Sequence, residues 1–278
     1  MNQFLIVVNA NRDRELKSAN LVRKILEDAG KIVELHVSKP DGLGNYTPVK
    51  NISDGTDCVI VLGGDGTFIT AARDISSHEI PMLGINLGRV GFLTDVEVSQ
   101  IPEAMEKIID GEYSIEERMM LCGKVYKEDG TIKGESRAVN DIVIHNSSNL
   151  KISEYRLEVD GSELGTYRSD GLIVCTPTGS TAYSMSAGGP IIEPTARMMV
   201  ITPVCPHTLN TRSIVLSPES SIKIISRTAD NTVVFDGHNQ ISVKENDYVE
   251  IRPSRKVTRI LRIGQESFLS LLSQKFNS

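Results

Sequence analysis

Cys58-Val59-Ile60-Val61-Leu62-Gly63-Gly64-Asp65-Gly66-Thr67-Phe68-Ile69-Thr70-Ala71-Ala72-Arg73-Asp74-Ile75 is the stretch that decides the class of fold. Residues 58–62 (CVIVL) are apolar without a break, as a strand buried on both faces requires. GGDGT is a tight turn, and residues 68–75 (FITAARDI) read as a helix. The same alternation extends outward on both sides. Residues 4–10 (FLIVVNA) and 31–37 (KIVELHV) read as strands. Between them Leu16, Ala19, Val22, Ile25, Leu26 and Ala29 recur at helical spacing, with Gly30 as the C-cap. Downstream, residues 81–86 (PMLGIN) form a further strand, and residues 99–111 (SQIPEAMEKIIDG) a helix that starts near Ser99 or Gln100 and ends at Gly111. Strands and helices in this order predict a parallel sheet with helices on its faces. Its ligand is expected beyond the carboxyl ends of the strands.

After about Ile115 the helical period stops. Short β-rich runs follow, among them 138–145 (AVNDIVIH), 171–177 (GLIVCTP), 231–243 and 248–253. The Asp-Gly pairs at 129–130 and 160–161 sit between β-branched residues and signal hairpins. The expected organisation is an α/β N-terminal domain with a parallel sheet over residues 1–118, completed by 255–278, and an all-β C-terminal domain over 119–254. In the tail, Phe268, Leu271, Leu272 and Phe276 share a helical face, which predicts a C-terminal helix packing back on the N-terminal domain.

Composition narrows the function. The chain has 278 residues, 30 Lys+Arg against 36 Asp+Glu, and a net charge of −6. An acidic balance argues against a protein built to wrap duplex nucleic acid, and 13 aromatic residues (7 Tyr, 6 Phe, no Trp) supply no broad stacking platform for single strands. No apolar run approaches the roughly 18 residues that span a membrane. The start carries only the short run FLIVV and no basic segment ahead of it, so a cytoplasmic location is expected. Cys58, Cys122, Cys175 and Cys205 have neither CxxC nor zinc-ligand spacing.

Three segments carry the chemistry. In the GGDGT turn the backbone of Gly63 and Gly64, with Thr67 at the helix start, can face a phosphate. Asp65 beside phosphates either holds a cation or accepts a hydroxyl proton; alternatively it caps the helix. The second segment, residues 86–95 (NLGRVGFLTD), is another glycine-rich turn after a strand, where Arg89 can meet phosphate or solvent and Phe92 reads as core. The third, residues 176–190 (TPTGSTAYSMSAGGP), is rich in Ser, Thr and Gly directly after an apolar strand. Hydroxyls such as that of Thr178 offer donors and acceptors there, and Tyr183 a flat face, unless the segment is a solvated loop. Asn140-Asp141 combines an amide with a carboxylate, and Asp236-Gly237-His238-Asn239-Gln240 is either a contact point or a hairpin tip. No cage of carboxylates for a metal is evident.

Taken together, LGGDGT (62–67), NLGRVGFLTD (86–95), AVNDIVIH (138–145), SDGLIVCTPTGSTAYSMSAGGP (169–190), TPVCPHTLNTRSIV (202–215) and FDGHNQ (235–240) resemble the bacterial NAD kinases. GGDGT alone is shared with diacylglycerol, sphingosine and phosphofructokinase relatives; the long TPTGSTAY block with the NDIVI segment is specific. The resemblance implies transfer of the γ-phosphoryl of ATP, or of polyphosphate, to the adenosine 2′-hydroxyl of NAD, with Mg²⁺ or Mn²⁺ riding on the nucleotide. It implies Asp65 as general base and Gly66, Asn140, Asp141, Lys151, Arg168, Asp170, Thr181, Ala182, Tyr183, Ser184, Met185, Ser186 and Gln240 as substrate contacts. It also implies an active site between the two domains and a homodimer or homotetramer whose neighbouring subunit completes the site. A lipid or sugar kinase sharing GGDGT, and a dinucleotide sensor without turnover, are the competing readings.

Overall fold

The computed structural model describes residues 1–39, 48–49, 52–88, 91–94, 96–147, 152–207, 212–264 and 267–277. Two compact units divide the chain, one of residues 1–117 with 256–278 and one of residues 118–255. The first runs β1 (Gln3–Asn9), α1 (Lys17–Asp28), β2 (Ile32–Ser38), β3 (Cys58–Gly63), α2 (Asp65–Asp74), β4 (Met82–Asn86), β5 (Val96–Glu97) and α3 (Ile101–Asp110). Strands β4, β3, β1 and β2 lie side by side in that order, all parallel, with β5 parallel on the other edge of β4. Ile6, Ile60, Leu62, Leu83 and Ile85 are fully buried against Ala19, Val22 and Leu26 of α1 and Ala104, Met105 and Ile108 of α3. Each such side chain contributes on the order of 1.5–3 kcal/mol. The periodicity set these faces correctly, but the ends differ. Leu16 takes a left-handed φ of 53° as the N-cap of α1, and the Asp13 carboxylate accepts from the Ala19 N–H at 2.9 Å. Ala29 is the C-cap and exposed, with Gly30 one residue further on. Helix α2 begins at Asp65 rather than Phe68, because extended Gly64 caps it and a first-turn carboxylate suits a helix N-terminus.

The second unit is antiparallel β throughout its sheets. It comprises β6 (Ser114–Tyr126, from residue 118 on), β7 (Ile132–Ala138), β8 (Asp141–Asn146), β9 (Ser153–Val159), β10 (Ser162–Ser169), β11 (Gly171–Cys175), α4 (Tyr183–Ser186), β12 (Met199–Val204), β13 (Ile214–Leu216), β14 (Ile222–Ser226), β15 (Asn231–Phe235), β16 (Asn239–Val243) and β17 (Tyr248–Arg262, up to residue 255). One sheet orders β13-β12-β11-β8-β15-β16, and β10-β9-β14-β17 form a second run. The Asp-Gly pairs close the β6–β7 and β9–β10 hairpins. Inward residues Ile142, Ile144, Leu172, Val174, Val233 and Phe235 meet Tyr155, Leu157, Ile222, Ile224 and Val249 in one core. The other face of β8 and β11 is also buried: Val143, Ile173 and Cys175 are covered by Ala187 and Ile192. The segment after β11 therefore folds back over its own sheet. A solvated loop is the wrong description, since residues 178–181 form a 3₁₀ turn and 183–186 a short helix.

The far end of β17 returns to the first unit, where Ile260 pairs with Met82 of β4. Helix α5 (Phe268–Phe276) is capped by Ser267, whose hydroxyl accepts from the Ser270 N–H at 3.1 Å. Leu271 is buried, and the Phe268 ring lies 6.0 Å from that of Phe92, centroid to centroid. Phe276, expected on the same face, is instead 65% exposed. Among the described residues no helix is long and apolar enough to cross a membrane.

Candidate functional site

The carboxyl ends of β1, β3 and β4 bring Asn9, Gly63 and Asn86 to one edge of the parallel sheet, with Gly63 in register with Asn86. Asn9 is buried and uses both ends of its amide, Nδ2 donating to Thr67 Oγ1 at 3.1 Å and Oδ1 accepting from the Asn11 N–H at 3.0 Å. That fixes Thr67 one turn into α2. Asp65, at the first position of α2, points to the loop after β4. Its Oδ1 accepts from the Leu93 N–H at 3.1 Å, the Thr94 N–H at 3.2 Å and the Thr94 hydroxyl at 3.0 Å; its Oδ2 accepts from the Phe92 N–H at 2.8 Å. Thr94 Oγ1 is itself held by Asn86 Nδ2 at 3.1 Å. A carboxylate has about four lone-pair sites, two on each oxygen. Oδ1 is therefore fully engaged, while Oδ2 keeps one direction open. The loop can come this close because residue 91 is glycine: a Cβ there would lie 1.8 Å from Asp65 Oδ1. The helix-cap reading of Asp65 gives way to this one, for its side chain bonds a distant loop and makes no cap to its own helix.

In the second unit the turn entering β8 carries Asn140 and Asp141. Val139, Asn140 and Asp141 donate their N–H groups to the Asp236 carboxylate at 2.9, 2.8 and 3.2 Å. Asn140 Oδ1 is buried without a hydrogen-bond partner. The Asn140 carbonyl accepts from the Thr176 N–H at 2.8 Å, and the backbone of Gly179 passes so close that a Cβ would sit 2.1 Å from that carbonyl oxygen. Asp141 is 5% exposed; burial, followed by the charge of Asp236, pushes its carboxyl up to about 7. Burial also raises the Cys175 thiol to about 12, so this cysteine is an inert small hydrophobe.

The hydroxyl-rich segment turns most of its hydroxyls inward. Thr176 Oγ1 donates to the Val139 carbonyl at 2.6 Å, Ser180 Oγ to the Pro177 carbonyl at 2.6 Å, and Ser184 Oγ pairs with Thr202 Oγ1 at 3.1 Å. Thr178 is buried and accepts from Arg118 at 3.3 Å. These groups build the scaffold of the turn. What they leave accessible is Tyr183, 47% exposed, with Met185 and Ser186 exposed and Thr181 and Ala182 half-buried. Gln240 lies on β16 opposite Val234, near the Asp141 end of the sheet.

Arg168 and Asp170 stand apart from the Asn140–Asp141 turn, although the charge of Asp170, like that of Asp141, bears on Tyr183. Asp141 is in register with Cys175 and His145 with Gly171, so Asp170 lies at the opposite end of the β8–β11 pair. Five residues of strand put it about 17 Å from Asp141 along the pair. Arg168 is exposed and pairs with Glu154 at 3.3 Å. Lys151 and Arg89 lie outside the described residues. His238 bonds the Asp236 carbonyl through Nδ1 at 2.7 Å. No group of three or more His, Cys, Asp or Glu among the described residues could hold a metal. Two residues went unread in the sequence. Asn9 could have been found from its place at the carboxyl end of the first strand; Thr94, inside a loop read for its glycines, Arg89 and Phe92, gave no separate signal.

Comparison with known proteins places the chain among phosphotransferases that act on nucleotides. The family model of the ATP-NAD kinase N-terminal domain matches residues 4–113, and that of the ATP-NAD kinase C-terminal domain residues 139–263. NAD kinase of Lachnoclostridium phytofermentans is 38% identical over 284 residues, covering 99% of each chain. That of Ruminiclostridium cellulolyticum is 39% identical over 283 residues, 99% of this chain and 98% of the relative. The chain belongs to the NAD kinase family. Its fold is that of an Archaeoglobus fulgidus NAD kinase solved in complex with ATP, at a TM-score of 0.80 and 24% identity over 99% of both chains. It is also that of yeast NADH kinase solved with NADH, at a TM-score of 0.79 and 21% identity over 99% of this chain and 88% of the other.

Proposed function

We propose that this protein transfers the γ-phosphoryl group of ATP, or a phosphoryl group of inorganic polyphosphate, to the adenosine 2′-hydroxyl of NAD, giving NADP. The observation that carries the chemistry is the asymmetric hydrogen bonding of Asp65. Three bonds fix Oδ1, one steadies Oδ2, and the remaining Oδ2 lone pair takes the 2′-hydroxyl proton as the oxygen attacks phosphorus. The bond from the γ-phosphorus to the bridging oxygen breaks and ADP leaves. General-base help of this kind is worth about 10²–10⁴-fold. Backbone N–H groups of Gly63, Gly64 and Gly66, with Thr67, face the phosphates at the start of α2. A divalent cation, Mg²⁺ or Mn²⁺, would be held by the nucleotide's own phosphates, and the chemistry it would supply there is neutralisation of phosphate charge.

Asn140 and Asp141 hold the dinucleotide, with its adenosine and nicotinamide sides against residues 181–186 and Gln240. Arg168, Asp170 and Lys151 serve the site of a neighbouring copy in a cytoplasmic homodimer or homotetramer; the placement of Arg168 and Asp170 at the far strand end supports this. Incubation with NAD, Mg²⁺ and either ATP or polyphosphate, with NADP read through an NADP-specific dehydrogenase, tests the function. NADP formation is expected. Measurable NAD binding without NADP from either donor would instead identify a dinucleotide sensor.

A further inference from the structure

Asp236 has no role in the chemistry above, yet it is the most heavily bonded side chain of the second unit's polar turn. It is buried, follows β15 directly and takes a left-handed φ of 49°. Its carboxylate accepts from three successive backbone N–H groups, those of residues 139–141, and its own N–H donates to the Asp141 carbonyl at 3.0 Å. Three N–H donors favour a charged carboxylate. Asp141 lies against that charge in a buried place, and two carboxylates so placed do not both ionise at little cost. Among the described groups, burial and then the charge of Asp236 are what act on the Asp141 carboxyl. Cys175, across the strand pair, is a neutral thiol; Tyr183, from α4, is a neutral phenol raised by its own burial. Arg118, on β6, is directed at Thr178, and His238 at the Asp236 carbonyl. The turn thus offers a ligand one buried acceptor without a partner, Asn140 Oδ1, beside one carboxyl group.

We propose that Asp236 is a positioning residue for dinucleotide binding: its carboxylate pins the turn that carries Asn140 and Asp141 and keeps Asp141 a neutral hydrogen-bond donor. Asp141 then donates to a carbonyl or ring-nitrogen acceptor of the ligand, and Asn140 accepts from a hydroxyl or amino group. A neutral Asp141 also spares the ligand's phosphates a repelling charge. This inference rests on the reading of Asn140 and Asp141 as dinucleotide contacts.

The test is kcat/KM for NAD from about pH 5.5 to about pH 8.5 in the wild type, Asp236→Asn and Asp141→Asn. In the wild type, kcat/KM falls by up to about tenfold per pH unit above about 7, as Asp141 loses its proton. Asp236→Asn removes the charge that opposes ionisation, so the fall begins at least about one pH unit lower, and KM for NAD rises more than kcat changes. Asp141→Asn, a permanent neutral donor, shows no such fall. A merely structural Asp236 would leave the midpoint where it is. An unchanged midpoint in Asp236→Asn, or a wild type with no fall, overturns the inference. If Asp236→Asn fails to fold, the ¹³C shift of the Asp141 carboxyl in the ligand-free wild type decides: a midpoint near 7 supports the inference, and one near 4 overturns it. Absence of NADP from the wild type at every pH is the separate signature of a failed kinase reading, and the ¹³C titration then still decides the pairing.

Discussion

Asp65 opens α2 just after β3 and Asp141 opens β8, each in a turn where a glycine lets backbone come close, Gly91 to Asp65 itself and Gly179 to the neighbouring Asn140, and they are arranged for opposite tasks. Asp65 is ringed by donors, three backbone N–H groups and one hydroxyl, from a single loop. Asp141 is buried beside another carboxylate that has taken the local N–H donors for itself. The first environment holds an acceptor in one orientation with one lone pair to spare. The second disfavours charge, so that up to about pH 7 the same functional group carries a proton it can donate. Residue type alone therefore does not assign acid and base roles; the distribution of N–H groups around each carboxylate does.

The sharpest way to break this contrast is Asp65→Asn. Asparagine keeps an oxygen for the three donors at Oδ1 but replaces Oδ2 with an NH₂ group, which accepts no proton and opposes the Phe92 N–H. Turnover is expected to drop by at least about 10²-fold with NAD binding retained. Calorimetric titration with NAD beside steady-state assays checks both halves. Near-normal turnover would remove Asp65 from the base role.

Next come the two glycines. In Gly91→Ala the new methyl carbon must displace the Asp65 carboxylate, since the unrelaxed separation is 1.8 Å. In Gly179→Ala it must displace the Asn140 backbone, at 2.1 Å. A misplacement of reacting groups by about 1 Å can cost about 10²-fold, so kcat in Gly91→Ala should fall at least about tenfold. Gly179→Ala should instead raise KM for NAD by about tenfold, with kcat less affected. If both variants moved the same parameter, the division of labour between the two carboxylate environments would be wrong.

Much of the first environment was legible. An unbroken apolar strand, two glycines and a helical period leave few alternatives for residues 58–75, and the chemistry of Asp65 followed from a carboxylate where phosphates belong. The partners of Asp65 were not legible, because Phe92 and Leu93 contribute backbone N–H groups, which no side-chain pattern reveals. The segment after β11 was legible only in part, for a related reason. Ser, Thr and Gly signal solvent or ligand when counted by composition, but here the hydroxyls of Thr176, Ser180 and Ser184 satisfy buried scaffold groups. Their burial depends on Val143, Ile173 and Cys175 making the outer face of β8 and β11 apolar, and a uniformly apolar strand does not announce which face needs a cover. Asp236 was visible as part of a hairpin tip, yet its bonds reach back almost a hundred residues to a turn that nothing local in the sequence points to.

The finest test concerns Thr94. Its hydroxyl donates to Asp65 Oδ1 at 3.0 Å and accepts from Asn86 Nδ2 at 3.1 Å, so it ties the general base to the carboxyl end of β4. Valine matches its shape in a fully buried position and deletes both bonds. Asn86 Nδ2 retains the Thr94 carbonyl at 3.4 Å, and Oδ1 of Asp65 retains two N–H groups. One hydrogen bond of this kind is worth about 1 kcal/mol, so Thr94→Val should lower kcat by about fivefold and leave KM for NAD alone. A change in KM with kcat intact would mean that the Thr94 hydroxyl serves substrate binding rather than the orientation of Asp65. No change in either would mean that the backbone N–H groups alone orient the base, which would make residue 91, whose missing side chain lets them approach, the more critical position of the loop.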